Sequence, residues 1–500
     1  MVPGNEGNEV NREGRQGVGV PHCTKEVGEP TPGDPAEGKG HLGMELLEGK
    51  MRETSGSQSV STKLQRIAEL ARQAPKMAMT TLAHHIDEDF LKEAYRRTRK
   101  DGAVGVDGQT AEGYEANLEE NLRSLKERFK SGSYKAPPVR RVYIPKAGSS
   151  KKLRPIGIPS LEDKVLQRAV SMVLEAVYEQ DFLDCSYGFR PKRSAHDALA
   201  TLWSGLMGIK GGWVIEMDIK GCYDNISRPH LRSFLDQRVR DGVIRRTIDK
   251  WLKAGVLEDG EVWHPTLGTP QGGVVSPVLM NVFLHEALDK WFEEVVKPRM
   301  KGKALMIRYA DDAVLAFEME SDARRVMEVL PKRFLKYGLE LHEEKTRLID
   351  FRRPGPTNQR PTSTVQAGRA SFDFLGFCHH WGKSRKGYQV IKRKTAKERL
   401  RRAIVNINEW CRRNRHIPAK DQWSMLVRKL QGHYGYYGIT GNIRALSQFH
   451  RAVTKAWQKW LNRRSQRKDM PWERFIRMLE RYKLPTPKVV HSIYGCAAKP

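Results

Sequence analysis

Three aspartates are the residues whose type and spacing could do chemistry. Asp218 ends the apolar run Trp213-Val-Ile-Glu-Met-Asp218, and Asp311 and Asp312 stand together between two β-rich runs, Leu305–Tyr309 and Ala313–Phe317. A tight hairpin at that junction would hold both carboxylates at the tip of an otherwise apolar sheet. Adjacent carboxylates in such a setting repel each other unless a cation neutralises them. Mg²⁺ suits the position, because it takes hard oxygen donors and is commonly held by one or two carboxylates plus substrate phosphates. With Asp218 as the third carboxylate the set is that of a two-metal phosphoryl-transfer site, one ion activating a hydroxyl and the other holding a triphosphate. An Asp-Asp pair alone is also a common surface turn; the apolar runs on both sides and the separate run ending in Asp218 argue against that reading.

The elements that must position these residues are short. Arg140–Ile144, Trp213–Met217, Leu305–Tyr309 and Ala313–Phe317 read as strands. Ser160 opens a helix whose apolar face is Val165, Leu166, Ala169, Val170, Val173, Leu174 and Val177, and Ser276-Pro277 reads as the N-cap and first position of a helix running through Val278, Val282, Leu288 and Trp291. Strands alternating irregularly with helices imply an α+β fold rather than a doubly wound sheet. Residues 1–60, rich in Gly, Glu, Pro and Ser, read as a disordered extension. Residues 61–384 carry the chemistry. From about Arg385 to Pro500 the texture becomes helical, basic and rich in Trp and Tyr, with the Gly-rich stretch Gly432–Gly438 expected as a loop between two helices.

Charge narrows the class. The chain has 88 Lys+Arg against 59 Asp+Glu, a net of +29 over 500 residues, which points to a polyanionic partner. No run approaches the length of a membrane span and no signal peptide is visible, so neither a membrane nor secretion is expected. The six cysteines (Cys23, Cys185, Cys222, Cys378, Cys411 and Cys496) form no C-x-x-C pair, so no disulfide framework and no zinc are expected, in keeping with a cytoplasmic protein. Cys378-His379-His380 is not a metal motif either, since neighbours on a strand point to opposite faces.

Several ordered motifs surround the aspartates. They are Gly105-Val-Asp-Gly108; Lys152-Leu-Arg154-Pro-Ile-Gly-Ile-Pro159; Ser186-Tyr-Gly-Phe-Arg190-Pro-Lys-Arg-Ser-Ala-His196; and Leu267-Gly-Thr-Pro-Gln271-Gly-Gly-Val-Val-Ser-Pro277. Tyr309-Ala-Asp-Asp312, Leu339…Lys345-Thr346 and Phe374-Leu-Gly-Phe377 follow. From about residue 80 to its end the chain thereby resembles the group II intron-encoded reverse transcriptase/maturase family. The resemblance implies a right-hand polymerase, fingers and palm followed by an all-helical thumb (domain X). It also implies RNA-directed DNA synthesis, assistance to splicing of the parent intron, and copying of that intron during retrohoming. The implied partners are group II intron RNA, a template RNA–primer DNA duplex, target DNA and dNTPs, in a nucleoprotein-associated bacterial cytoplasmic setting.

The site residues follow from both readings. Asp218, Asp311 and Asp312 are catalytic, and the metal set, for two Mg²⁺, is Asp218, Ile219, Asp311 and Asp312. Lys152 and Arg154, beside a rigid Pro-Ile-Gly-Ile-Pro segment, could meet the triphosphate, Arg154 by bidentate contact. Tyr223, five residues beyond Asp218, could place a ring under the sugar and exclude a 2′-hydroxyl. Gln271 lies in a tight turn where backbone approaches a ligand closely. Arg190, Lys345 and Gly376 are expected nucleic-acid contacts, with Arg190 alternatively a brace for the fingers, Lys345 alternatively a solvated lysine at a helix end and Gly376 alternatively a β-bulge. Arg412, Arg413, Arg415, Arg463, Arg464, Arg467 and Lys468 exceed what a solvated face needs and suit template–primer and intron RNA. Relatives with a C-terminal nuclease carry Cys pairs that this chain lacks, so no endonuclease is expected. Rival readings are a reverse transcriptase outside introns (phage defence, a CRISPR locus or a diversity-generating element), an RNA-directed RNA polymerase, and a splicing factor with a dormant polymerase core.

Overall fold

The apolar runs that bracket the aspartates pair with one another. A computed structural model describes residues 55–145, 153–269, 272–354, 370–464 and 470–492. Their strands are β1 (Val139–Pro145), β2 (Leu153–Ile158), β3 (Trp213–Asp218), β4 (Val256–Glu258), β5 (Glu261–Trp263), β6 (Ala304–Tyr309), β7 (Asp312–Phe317), β8 (Arg347–Asp350), β9 (Ser371–Phe374), β10 (Phe377–Lys383) and β11 (Gln389–Thr395). The central sheet has the order β6-β7-β3-β8 and is antiparallel throughout. β7 is buried from Ala313 to Phe317, and β6 is nearly so. Burial on both faces explains why these strands read as continuous apolar runs instead of alternating. Helices Ala195–Gly208 and Glu320–Leu335 pack on the sheet, the first on β6 and the second on β3, β7 and β8.

A second sheet, β2-β1-β4-β5, carries the Arg154 motif, and a third, β11-β10-β9, follows the palm-like core. The Leu161–Tyr178 helix runs through the core. Ser160 caps it by accepting from the Asp163 N–H at 3.2 Å, and all seven expected face residues are fully buried. Helices mixed with sheets that are antiparallel except at the β1–β4 pair make the domain α+β, as expected.

Four boundaries differ from the sequence reading. Residues 1–54 lie outside the described residues, but the expected disordered extension to residue 60 overlaps a helix, Ser55–Gln73. Val60, Ile67 and Ala71 are buried, and the helix packs on Leu161–Tyr178; an apolar stripe found its partner about a hundred residues away. The helix after the Pro-Gln-Gly motif has Val275 as N-cap, so Ser276 and Pro277 are its first residues, and it continues through π-helical turns at His285–Asp289 and Trp291–Val296. The C-terminal helical region begins at Lys397, because Gln389–Thr395 is the strand β11. Finally, Gly432–Tyr437 is no loop but the last part of helix Ala419–Tyr437, ended by Gly438. Burial of Tyr434, Tyr436 and Tyr437 outweighs the roughly 1 kcal/mol that each helical glycine costs.

Candidate active site

The three aspartates meet at one edge of the central sheet. The register sets Asp218 of β3 directly across from Asp312 of β7, and Asp312 also pairs with Tyr309 across the hairpin, so Ala310 and Asp311 form a two-residue tip. Ala310 takes φ +58°, a left-handed conformation that costs a non-glycine residue strain. All three carboxylates are partly exposed while the strands behind them are buried.

A loop from the other side of β3 completes the surround. The Asp218 carbonyl accepts from the His342 N–H at 2.8 Å, and the Lys220 N–H donates to Glu340 at 2.9 Å, so these ladder bonds bracket Ile219 without engaging its own carbonyl. Lys345, at the end of the same loop, donates to Asp218 Oδ2 at 2.6 Å. Its side chain is half exposed, so the pair faces water and is screened.

Tyr223 stands in the helical turn Cys222–Asn225 that follows β3. Burial raises its phenol above the ordinary value; the Asp311 charge adds to this and Arg154 opposes it, which places ring, carboxylate and guanidinium in one electrostatic neighbourhood. The turn is clamped by the Leu267-Gly-Thr segment: the Thr269 N–H donates to the Tyr223 carbonyl at 2.8 Å and the Gly268 N–H to Ile226 at 2.9 Å.

Other expected contacts fall differently. Lys152 and Gln271 lie outside the described residues, as do Arg467 and Lys468. Arg190 is not at a nucleic-acid surface: it is buried, pairs with Glu179 through both Nε and Nη2, and donates from Nη1 to the Leu183 and Ser186 carbonyls at 2.8 Å. With those donors spent inside the protein, it braces the loop before helix Ala195–Gly208, the alternative that the sequence had left open. Lys345, expected at a nucleic-acid backbone, lies against the Asp218 carboxylate. Gly376 closes the β9–β10 hairpin with Leu375, the two at φ +50° and +78°, which makes a two-residue turn and not a bulge. A methyl group at Gly376 would sit 3.0 Å from Tyr437 Oη, so a tyrosine of the helical region packs close to this turn.

Arg412 and Arg413 are exposed and paired with Glu409. Arg463 lies over the Trp460 ring at 5.4 Å, and Arg464 donates to the His416 and Ile417 carbonyls. Because Trp460 also donates to Asn408, the structure gathers all four arginines at one end of the helices Lys397–Arg413 and Ile443–Asn462.

The donor set fits a hard divalent cation. Asp218 and Asp312 are register partners and Asp311 is adjacent, yet no group of three or more Asp, Glu, His or Cys side chains among the described residues is gathered into a ready cage. The protein supplies part of a coordination shell, and substrate phosphates are the usual remainder for Mg²⁺.

One supporting residue went unread. Arg308, between Ile307 and Tyr309, is fully buried and forms an ion pair with Asp289. Its signal was present: a lone arginine inside an apolar strand must find a buried partner.

Comparison with known proteins bears on this geometry. Residues 144–379 match the family model described as reverse transcriptase (RNA-dependent DNA polymerase), which spans the Arg154, Asp218, Tyr223 and Asp311–Asp312 positions. The chain is 35% identical over 321 residues to the group II intron-encoded protein LtrA of Lactococcus lactis subsp. cremoris, covering 62% of this chain and 51% of that protein. It is 36% identical over 257 residues to protein YkfC of Escherichia coli K12, covering 50% and 66%. It is also 29% identical over 230 residues to the mitochondrial nuclear intron maturase 2 of Arabidopsis thaliana, covering 36% and 31%. The chain thus spans about half the length of its Lactococcus relative. No helix among the described residues is long and apolar enough to cross a membrane.

Proposed function

We propose that this chain, which belongs to the group II intron-encoded reverse transcriptase family, is an RNA-directed DNA polymerase that copies its parent intron RNA and assists its splicing. The observation that carries the polymerase reading is the register of Asp218 against Asp312, with Asp311 at the hairpin tip and Tyr223 in the electrostatic reach of both Asp311 and Arg154. Asp218, Asp311 and Asp312 hold the metals, with Ile219 as a fourth donor. Bound Mg²⁺, two ions and no zinc in this reading, supplies Lewis acidity and neutralises the charge that develops during in-line phosphoryl transfer.

The protein's own groups bind and orient. Arg154 and Lys152 meet the triphosphate of the incoming dNTP, and Gln271 contacts the nucleotide. The Tyr223 ring closes the space a 2′-hydroxyl would need, and the Thr269 bond to its carbonyl keeps that ring in place. Lys345 orients Asp218 through their shared hydrogen bond. The helices from Lys397 onward act as the thumb, and the arginines gathered at one end of them grip template RNA–primer DNA duplex and intron RNA. The net charge of +29 supports that role. The reading extends to retrohoming into target DNA and to a bacterial cytoplasmic, nucleoprotein-associated setting; similarity to the bacterial group II intron-encoded protein LtrA supports its intron part.

Primer extension tests the reading. Purified protein with an RNA template, a DNA primer and Mg²⁺ is expected to extend with dNTPs and poorly with rNTPs, and Asp311→Ala to extend with neither. Failure of the wild-type chain to use dNTPs would end the polymerase reading; extension by Asp311→Ala at the wild-type rate would end the site assignment. Splicing is tested separately, by whether the protein accelerates excision of the cognate intron RNA at moderate salt.

A further inference from the structure

The hairpin that carries Asp311 is strained at its tip, so something must hold it. Ala310 is buried at φ +58°, and the turn has no glycine. Behind it, the guanidinium of Arg308 has five acceptors within hydrogen-bond distance. Nε donates to Asp289 Oδ1 at 2.7 Å, Nη2 to Asp289 Oδ2 at 2.6 Å and to Ser186 Oγ at 2.7 Å, and Nη1 to Asn281 Oδ1 at 2.9 Å and to the Ala310 carbonyl at 3.0 Å. An arginine has five N–H donors, so this one is fully spent. Neither Arg308 nor Asp289 has any solvent exposure, which leaves no water to replace a lost partner.

The same residues grip the outer side of the tip. Asn281 donates from its amide to the Gly188 carbonyl at 2.8 Å, and a methyl group at Gly188 would fall 2.3 Å from the Ala310 nitrogen. The segment before Gly188 is bonded to β6 through an isolated bridge, with Arg308 N–H donating to Cys185 at 2.7 Å and Tyr187 N–H donating to Arg308 at 2.9 Å. Asp289 closes a π-helical turn, a departure from α-geometry that often marks functional sites.

We infer that Arg308, anchored by Asp289 and Asn281, is a positioning residue. It holds the Ala310 carbonyl, and thereby sets the direction in which Asp311 leaves the hairpin toward the metal. The inference rests on the polymerase reading of the site. A merely structural arginine would lower stability when changed and leave metal affinity and turnover alone in the folded protein. A positioning arginine would move both, because displacement of a catalytic group by about 1 Å costs on the order of a hundredfold in rate.

Arg308→Lys keeps the charge but cannot span Asp289, Asn281 and the Ala310 carbonyl at once. Asn281→Ala keeps the ion pair and removes the link between Gly188 and Arg308. Leu91→Ala, a truncation in the remote core helix Glu88–Arg97, serves as a control at reduced stability. Each full-length protein is titrated with Mn²⁺ followed by EPR, and assayed for kcat and for KM of dNTP at a temperature where all are folded. Arg308→Lys is expected to weaken Mn²⁺ binding about tenfold and to lower kcat about a hundredfold, with KM within about twofold of wild type. Asn281→Ala should move the same way by less, and Leu91→Ala should move neither. If Arg308→Lys fails to fold, Asn281→Ala alone decides. Mn²⁺ affinity and kcat in the Arg308 and Asn281 variants equal to those of Leu91→Ala would overturn the inference. A wild-type chain that binds Mn²⁺ but never extends a primer would instead overturn the polymerase reading, and the Mn²⁺ titrations would still judge Arg308.

Discussion

Two hairpins in this molecule solve one problem in two ways. β6–β7 turns through Ala310 and Asp311, and β9–β10 through Leu375 and Gly376. Each places a non-glycine residue first in the turn at positive φ, +58° and +50°. Each also has the carbonyl of that residue bound by a buried side chain, Ala310 by Arg308 at 3.0 Å and Leu375 by the Tyr436 hydroxyl at 2.8 Å. The source of the support differs. Arg308 belongs to the hairpin's own strand and is tied to neighbouring palm segments, whereas Tyr436 comes from helix Ala419–Tyr437 of the C-terminal region. The turn that carries Asp311 is therefore held by an arginine of its own strand, while the second turn can be no better fixed than the helices that buttress it. The two are near enough to sense each other: burial raises the Tyr436 phenol, with contributions from Tyr437, Tyr309 and Asp312.

The contrast breaks most clearly in activity. Asp311→Ala should cut primer extension by about a thousandfold, roughly 4 kcal/mol of barrier, with an unchanged melting temperature; Leu375→Ala should leave extension within about tenfold. Equal losses in single-turnover assays would mean that the second turn belongs to the chemistry.

Acid should loosen the second hairpin through His196. The His196 ring donates to the Tyr436 carbonyl at 2.8 Å and stacks on His491 at 3.6 Å. Burial holds it well below the ordinary imidazole value, at about 4, with a smaller push from His491. A base whose folded pKa is depressed contributes stability that is complete above the unfolded value of 6.5 and is lost as pH falls from there toward 4. Comparing Tm of wild type and His196→Asn should therefore show a pH-dependent difference across that window, on the order of 2–3 kcal/mol. A pH-independent difference would remove His196 as its source.

Smaller effects sharpen the picture. Tyr436→Phe leaves the Leu375 carbonyl buried without its donor and should cost about 1–2 kcal/mol in urea unfolding, with kcat nearly intact. Gly376→Ala should cost about 1 kcal/mol, from its positive φ and the approach to Tyr437, whereas Ala310→Gly should be neutral or slightly stabilising in the same assay. A clear loss from Ala310→Gly would show that its methyl group packs more than its backbone strains.

Much of this was legible in sequence because the relevant physics is local. Apolar runs, an Asp pair between them, a serine before a helical stripe and turn residues at set offsets all act within a few positions. They sufficed for the α+β class, three of the four strands of the central sheet (β8 went unread), the Leu161–Tyr178 helix and the nearness of the three aspartates to one sheet edge. What only tertiary structure decided is which partner a charge or ring finds. Arg190 went to Glu179 inside the protein and Lys345 to Asp218, while Gly432–Tyr437 stayed helical because three tyrosines found a core. Arg308 drew acceptors from Ser186, Asn281, Asp289 and Ala310. A charge or ring records in sequence that it needs a partner, but the identity of that partner is set by sheet register and helix packing, which no local pattern encodes.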